Sequence, residues 1–108
     1  MNDKRVVLTT AGSAEEANLL ADALVQRHLA ACVNVVGPIS SVYRWKENVE
    51  RAQEWLLLIK TTAGAADAVS DVIKELHSYE LPECVVLPVE GGSQAYLDWI
   101  GENVALPA

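Results

Sequence analysis

The sequence is poor in basic residues and has no long apolar segment, and each shortage excludes a class of protein. Eight Lys and Arg stand against 15 Asp and Glu, which gives a formal net charge of −7. A surface with this balance repels a phosphate backbone, so we expect no nucleic-acid partner. No apolar stretch approaches the roughly 20 residues that cross a bilayer, so we expect no membrane partner.

Cysteine is also scarce, since Cys32 and Cys84 are the only two. Two thiols are too few for a four-cysteine zinc site. Both lie in apolar segments, where a free cysteine commonly serves as a small buried apolar residue. The segment before Val6 has neither the apolar core nor the cleavage site of a signal peptide, so we expect a cytoplasmic protein with reduced thiols.

What remains is the composition of an ordinary globular protein. The chain has 108 residues, of which 51% are hydrophobic and 21% are charged. These values exclude a disordered chain. We predict a single domain over residues 1–108, because no linker, repeat or low-complexity segment interrupts the sequence.

Two long helices are predicted from capping residues and helical periodicity. Ser13 followed by Glu16 forms a capping box, which predicts a helix that ends near His28 or Leu29. Residues 61–64 are predicted to open a second helix, which carries its apolar residues on one face. That buried stripe consists of Ala66, Val69, Ile73 and Leu76.

The remaining periodic segments predict strands, with a short helix at the end. Gly37-Pro38 should bend or bulge the second strand, and Glu47-Asn48 should form the following turn. Together the elements give a β-α-β-β-α-β order with an extra C-terminal helix after residues 91–93, the α+β ferredoxin-like sandwich. The predicted strands span residues 6–10, 31–45, 50–60 and 84–89.

The apolar surface of such a sheet exceeds what one layer of helices covers. Tyr43, Trp45, Trp55 and several leucines should leave the second face apolar, which usually marks a partner surface. The hairpin from Asn34 to Ile59 is also long enough to leave strand edges unpaired. We therefore predict a homo-oligomer.

Five segments, in this order and spacing, resemble the CutA family of divalent-cation tolerance proteins. The resemblance covers about Val6 to Val104, nearly the whole chain. The segments are 30–34 (AACVN), 41–45 (SVYRW), 59–61 (IKT), 77–83 (HSYELPE) and 96–100 (YLDWI).

The resemblance implies both an assembly and a role. It implies a ferredoxin-like subunit that forms a compact homotrimer, akin in architecture to the PII signalling proteins. It also implies a non-enzymatic protein that is linked to copper (Cu²⁺) or another divalent cation and has a role in the response to metal ions.

Metal ligands follow from the resemblance only in part. Family members described as copper-binding carry a first-strand Cys and a His pair, where this chain has Thr9 and Leu76-His77. His77 is therefore the first metal candidate. The alternative is that it simply ends a helix, where the helix dipole stabilises an imidazolium. Weaker candidates are the oxygens of Glu80 and Glu83 and the sulfurs of Cys32 and Cys84.

A second candidate site combines Lys60, Tyr79 and Glu83. Lys60 ends a buried strand, while Tyr79 and Glu83 lie in the irregular segment before strand four. Together they could line a cleft between subunits and bind a small anion or orient a ligand. The alternative is an intersubunit salt bridge that fixes the register of the trimer.

Three other functions compete with metal tolerance. A PII-like regulatory module would bind a small molecule, and a structural assembly platform would bind none. An acylphosphatase-like hydrolase would need an Arg in the loop after the first strand. That loop here is residues 10–13 and contains no Arg.

Overall fold

The computed structural model describes residues 2–105, which form a four-stranded antiparallel sheet with helices on both faces. Residue 1 and residues 106–108, the two ends of the predicted domain, lie outside the described residues. The sheet order is β2-β3-β1-β4. The elements are β1 (Lys4–Ala11), α1 (Ala14–Gln26), β2 (Cys32–Trp45), β3 (Asn48–Thr62), α2 (Ala66–Leu76), β4 (Val85–Pro88) and α3 (Gln94–Glu102).

This architecture confirms the predicted α+β class, with its four-stranded antiparallel sheet and three helices. β1 lies inside the sheet, paired with β3 along its whole length and with β4 at its first half. Side chains alternate between the faces of a strand, so every second residue of β1 and β3 points to the same layer. No helix among residues 2–105 is long and apolar enough to cross a bilayer.

The main core lies between the sheet and the pair α1 and α2. Both helices bury an apolar stripe against odd-numbered residues of β1 and β3, as binary patterning requires. Leu76, placed in the α2 stripe by the sequence, is only partly buried, and Val72 takes a fully packed position instead. The buried cluster comprises Val7, Ala11, Ala17, Leu20, Leu24, Ala30, Leu57, Ile59, Val69, Val72 and Ile73.

The start of α1 is as predicted, but its end is earlier. The Ser13 hydroxyl accepts a hydrogen bond from the Glu16 amide at 3.1 Å. The helix ends at Gln26 because His28 adopts a left-handed conformation, with φ 59°. The amides of His28 and Leu29 then bond back to the carbonyls of Val25 and Leu24, the pattern of a Schellman motif.

The β2–β3 turn lies one residue earlier than the sequence suggests. Lys46 and Glu47 both have positive φ, at 49° and 71°, which is the geometry of a type I′ hairpin turn. Asn48 was predicted in the turn, but it is the first residue of β3 and pairs with Trp45. A type I′ turn matches the right-handed twist of the two strands, and this preference outweighs the left-handed tendency of Asn48.

The predicted irregularity at Gly37-Pro38 is present as a register shift between Val36 and Ile39. Its peptide bond is cis. A Cβ atom on Gly37 would overlap the indole ring of Trp55, so only glycine fits against that ring. The register of β3 with β1 places Trp55 on the side of α1 and α2, where it packs against the core.

The opposite face of the sheet, hereafter the open face, is covered in part. At one end Tyr79 lies over Glu54. The other end is covered by α3. There α3 buries Leu97 and Ile100 outside the main core, and its Gly101 lies beside the Lys4 side chain. Trp55 was expected to add to the uncovered surface, but it faces the helices. The apolar side chains of the open face are Val6, Leu8, Val36, Leu56, Leu58, Val85 and Leu87.

Candidate functional site

A cavity of about 690 Å³ lies between the β2–β3 hairpin and the loop of residues 78–83 that follows α2. It forms because the hairpin extends past the end of β1, whose last pair with β3 is Ala11 with Trp55. The loop then crosses beneath the projecting hairpin on its way to β4. The cavity is lined by Thr10, Ser41, Val42, Tyr43, Trp45, Glu54, Ser78, Tyr79, Glu80, Leu81 and Glu83.

Glu54 is the most buried acidic group in this cavity, with only 6% of its surface exposed. Its Oε2 atom accepts a hydrogen bond from the Tyr79 hydroxyl at 2.8 Å. Burial of Tyr79 raises the pKa of its hydroxyl well above the usual value. The hydrogen bond and the charge of Glu54 raise this pKa further, since both disfavour the phenolate.

A glycine makes the approach of Tyr79 to the sheet possible. A Cβ atom on Gly12 would lie 2.9 Å from the Tyr79 hydroxyl oxygen, closer than real Cβ contacts allow. Gly12 follows β1 directly, so the end of that strand and the loop of residues 78–83 meet at this point. The missing side chain therefore helps to place the Tyr79 hydroxyl beside Glu54.

His77, the first metal candidate, lies at the C-terminal cap of α2 with its side chain fully buried. Its Nε2 atom is 2.6 Å from the Thr10 carbonyl oxygen, and its Nδ1 atom accepts from the Tyr79 amide at 3.0 Å. Nε2 must therefore carry the proton that it donates to Thr10. A metal at either nitrogen would have to displace one of these hydrogen bonds.

The weaker metal candidates fall in different places. Glu80 and Glu83 line the cavity with Glu54, whereas Cys84 packs against the core. Cys32 begins β2, at the other end of the sheet. Within residues 2–105, no three His, Cys, Asp or Glu side chains are close enough to hold a metal ion together.

The three residues of the second predicted site also lie in two separate places. Tyr79 and Glu83 share the cavity, but Lys60 lies six residues beyond Glu54 on β3, about 20 Å along the strand. Its amine donates to the Asn34 side chain instead. Within one chain, Lys60 therefore belongs to a separate group beside Cys32. There, burial and the neighbouring thiol raise the pKa of Tyr96.

Sequence reasoning did not single out Glu54, although one signal marks it. Side chains alternate along β3, so Glu54 shares a face with Leu56 and Leu58, and a carboxylate continues an apolar face of the strand. A buried carboxylate at such a position needs a polar partner. The partner, Tyr79, is 25 residues away and therefore could not be read from the spacing.

The family is settled by comparison with known proteins. A family model described as CutA1 divalent ion tolerance protein matches residues 5–103. The chain belongs to the CutA1 divalent ion tolerance family. The resemblance seen in the sequence is thereby confirmed, and the family name describes tolerance of cations rather than a reaction.

Three relatives give the extent of this CutA1 similarity. The "Divalent-cation tolerance protein CutA" of Thermus thermophilus is 48% identical over 100 residues, covering 93% of this chain and 97% of its own length. The "Protein CutA, chloroplastic" of Arabidopsis thaliana is 41% identical over 95 residues, which are 88% of this chain but only 52% of that protein. The chain thus spans about half the length of the plant relative.

The third relative is a solved structure of the "Periplasmic divalent cation tolerance protein CutA" from Archaeoglobus fulgidus. It superposes with a TM-score of 0.91 at 38% identity and covers 94% of this chain and 99% of that chain. The names of these CutA1 relatives include a chloroplast and a periplasm. The cytoplasmic location expected from the sequence therefore stays a prediction.

Proposed function

We propose that this chain acts as a non-enzymatic homotrimer in tolerance of divalent cations, with copper as the first candidate metal. The observation that carries the assembly is the open face of the sheet. Its apolar residues lie side by side across all four strands, and α3 covers only one end. Val36, on the outer strand β2, is 47% exposed on this face, in a place where a single chain gains nothing from an apolar residue.

The strand edges support the same assembly. β2 and β4 are the outer strands of the sheet, and residues 48–54 of β3 extend beyond the last pair with β1. These segments present backbone groups that a second copy of the chain can pair with. The number of copies, three, and the likeness to PII architecture rest on the resemblance to the CutA family.

Light scattering of the purified protein tests the assembly. A trimer of 11.7 kDa chains has a mass of about 35 kDa. This mass should persist on dilution to micromolar chain concentration, because the interface buries apolar surface. A stable particle of 11.7 kDa under these conditions would contradict the proposed trimer.

The cation role is supported by the family and by the net charge of −7. His77 remains the first candidate ligand for Cu²⁺, with Glu80, Glu83, Cys32 and Cys84 as the others. Since residues 2–105 of one chain bring no three such groups together, neighbouring copies would have to complete the ligand set. His77 would also exchange one of its two hydrogen bonds for the metal.

Calorimetric titration with Cu²⁺ tests this site. His77→Ala should abolish the binding, whereas His28→Ala, at the exposed end of α1, serves as the matched control. Equal affinity in the wild type and in His77→Ala would remove His77 from the ligand set. Loss of binding in both variants would instead indicate a general effect of imidazole removal.

A second function, a small-molecule-binding module, is favoured by one observation, the 690 Å³ cavity. Ligand pockets usually have volumes of about 300–1,000 Å³. Thermal unfolding with and without added compounds separates the two functions, because a ligand stabilises the state that it binds. Stabilisation by organic compounds but not by divalent metals would favour the module.

A further inference from the structure

We propose that the cavity between the β2–β3 hairpin and residues 78–83 binds a small organic amine in its ammonium form. The ammonium group contacts the carboxylate of Glu54, and the organic part lies against the rings of Tyr43, Trp45 and Tyr79. This proposal rests on the small-molecule function that the same cavity favours, names the ligand class and requires no metal ion.

The first argument is the buried charge of Glu54. Within residues 2–105, its hydrogen-bond partner is the neutral Tyr79 hydroxyl on Oε2, and no Lys, Arg or His nitrogen lies within 4.0 Å of the carboxylate. Buried carboxylates are normally paired with a cation. An ammonium group donating to Oε1 would supply the missing charge without disturbing the Tyr79 contact.

The second argument is the aromatic wall. Tyr43 and Tyr79 stay substantially exposed in the single chain, and Trp45 lies on the same face of the hairpin as Tyr43. The negative faces of such rings attract ammonium groups. Trp45 already shows this attraction, because the Nζ atom of Lys46 lies 5.6 Å from its ring centroid.

The third argument separates an organic amine from other ligands. Among the described residues, the lining contains Glu54, Glu80 and Glu83 and no Lys, Arg or His. Lys46 stands beside the lining residues Trp45 and Glu80, but three carboxylates outweigh its single charge, so the cavity disfavours an anion. A bare metal ion would fill a small part of 690 Å³, and these carboxylates do not converge on one point. A cationic head with an apolar body matches both the charge and the volume.

The test is calorimetric titration of the assembled protein with 2-phenylethylamine in the presence of EDTA. The uncharged isostere 2-phenylethanol should bind at least about tenfold more weakly, since it cannot make a charge-assisted hydrogen bond. Glu54→Gln should weaken amine binding by about tenfold or more. Glu102→Gln removes the same charge from the exposed end of α3 and should leave the affinity unchanged.

Two further variants keep the test decisive if Glu54→Gln does not fold. Trp45→Leu should weaken amine binding several-fold, whereas Trp99→Leu on α3 should not. Lys46→Met should strengthen it, because Lys46 offers a competing ammonium group to Trp45 and lies 4.0 Å from Glu80. Lys74→Met on α2 is the matched control for that change.

Three results would overturn the proposal. The first is equal binding of the amine and the alcohol, and the second is equal amine affinity in Glu54→Gln and the wild type. The third is a structure of the assembled protein in which a neighbouring copy places a Lys or Arg against Glu54. The first two results do not bear on the trimer or on Cu²⁺ binding, which are measured by light scattering and by titration without EDTA.

Discussion

The Tyr79 hydroxyl donates a 2.8 Å hydrogen bond to the Glu54 carboxylate, and this contact ties the loop after α2 to the middle of β3. Both residues line the cavity, and Glu54 is nearly inaccessible to water. The strength of the contact therefore decides how firmly the cavity wall is held. A buried carboxylate loses its hydration, and a hydrogen-bond donor offsets part of that loss, so the hydroxyl should matter more than its small size suggests.

Tyr79→Phe should lower the free energy of unfolding by about 1–3 kcal/mol, because it leaves a buried carboxylate oxygen without its donor. Urea denaturation at a fixed chain concentration measures this change. Tyr43→Phe removes a hydroxyl from another cavity residue that is largely exposed, and it should change the free energy by about 0.5 kcal/mol or less. Equal effects of the two substitutions would contradict the importance of the Glu54 contact.

The same contact predicts a dependence of stability on alkaline pH. The pKa of Tyr79 in the folded chain lies above its ordinary value of 10.0. At a pH between the ordinary and the folded pKa, the hydroxyl has lost its proton in the unfolded chain but keeps it in the folded chain. The stabilisation is fully present below about pH 10 and is lost as the pH rises toward the folded pKa. Unfolding free energies measured at pH 8 and about pH 11 should show this fall.

Tyr96 also has a raised pKa and contributes to the same fall, so two variants are needed as controls. Tyr79→Phe should remove most of the alkaline loss, because the burial and the Glu54 charge act on that residue. Tyr96→Phe should remove the smaller part of this loss of stability at alkaline pH. An alkaline fall that is unchanged in Tyr79→Phe would assign the effect to other groups.

The close approach of Gly37 to Trp55 predicts how a single added methyl group changes the stability. Gly37→Ala places its Cβ atom inside the Trp55 ring, so the indole or the bulge must move, at a cost of about 1–3 kcal/mol. Urea denaturation followed by tryptophan fluorescence reports both the stability and the surroundings of Trp55. Gly91→Ala is the matched control, because no atom of residues 2–105 outside its chain neighbours lies within 4 Å of its Cβ position. A similar loss in both variants would contradict the role of the Trp55 contact.

The same residues show what the sequence could and could not predict. The glycine-proline pair predicts a bulge, since proline cannot donate to a strand ladder, and the structure has the bulge there. The side of the sheet to which Trp55 points could not be predicted, because β3 is apolar on both faces around this residue. Only the register with Ala11 shows that Trp55 points toward the helices.

Local signals were therefore read correctly, while contacts between distant segments were not. Ser13 and Glu16 predict the start of α1, and their backbone contact is present. The Glu16 carboxylate, however, does not complete the capping box but bonds to Ser78, 62 residues away. The Glu54–Tyr79 pair was missed for the same reason, since spacing along the chain carries no information about such pairs.

The open face predicts the effect of a charge on assembly. Val36→Lys places an ammonium group on the outer strand β2 within the proposed interface, where it would be desolvated without a partner. We expect the variant to dissociate to single chains in light scattering at micromolar concentration, with its circular dichroism retained. Leu19→Lys makes the same change at an exposed position of α1 and should leave the mass unchanged. An unaltered mass for Val36→Lys would exclude the open face as the interface.

Glu16 and Glu15 offer the closest matched pair in the chain, since both are in the first turn of α1. The Glu16 carboxylate accepts bonds from the amide and the hydroxyl of Ser78, each at 2.8 Å, and lies 3.2 Å from Nδ1 of His77. Glu16→Ala should therefore lower the free energy of unfolding by about 1–3 kcal/mol. It should also speed amide hydrogen exchange in residues 78–83, because the loop loses its anchor to α1.

Glu15→Ala removes an acidic residue that favours the same helix terminus but, in the part of the chain that the structure describes, forms no hydrogen bond or ion pair with the loop. Its effect should stay within about 0.3–1 kcal/mol, with the exchange of residues 78–83 unchanged. Unchanged exchange in Glu16→Ala as well would mean that Tyr79 and Glu54 hold the loop without Glu16. Faster exchange in Glu16→Ala alone would show that α1, through one carboxylate, sets the position of the cavity wall.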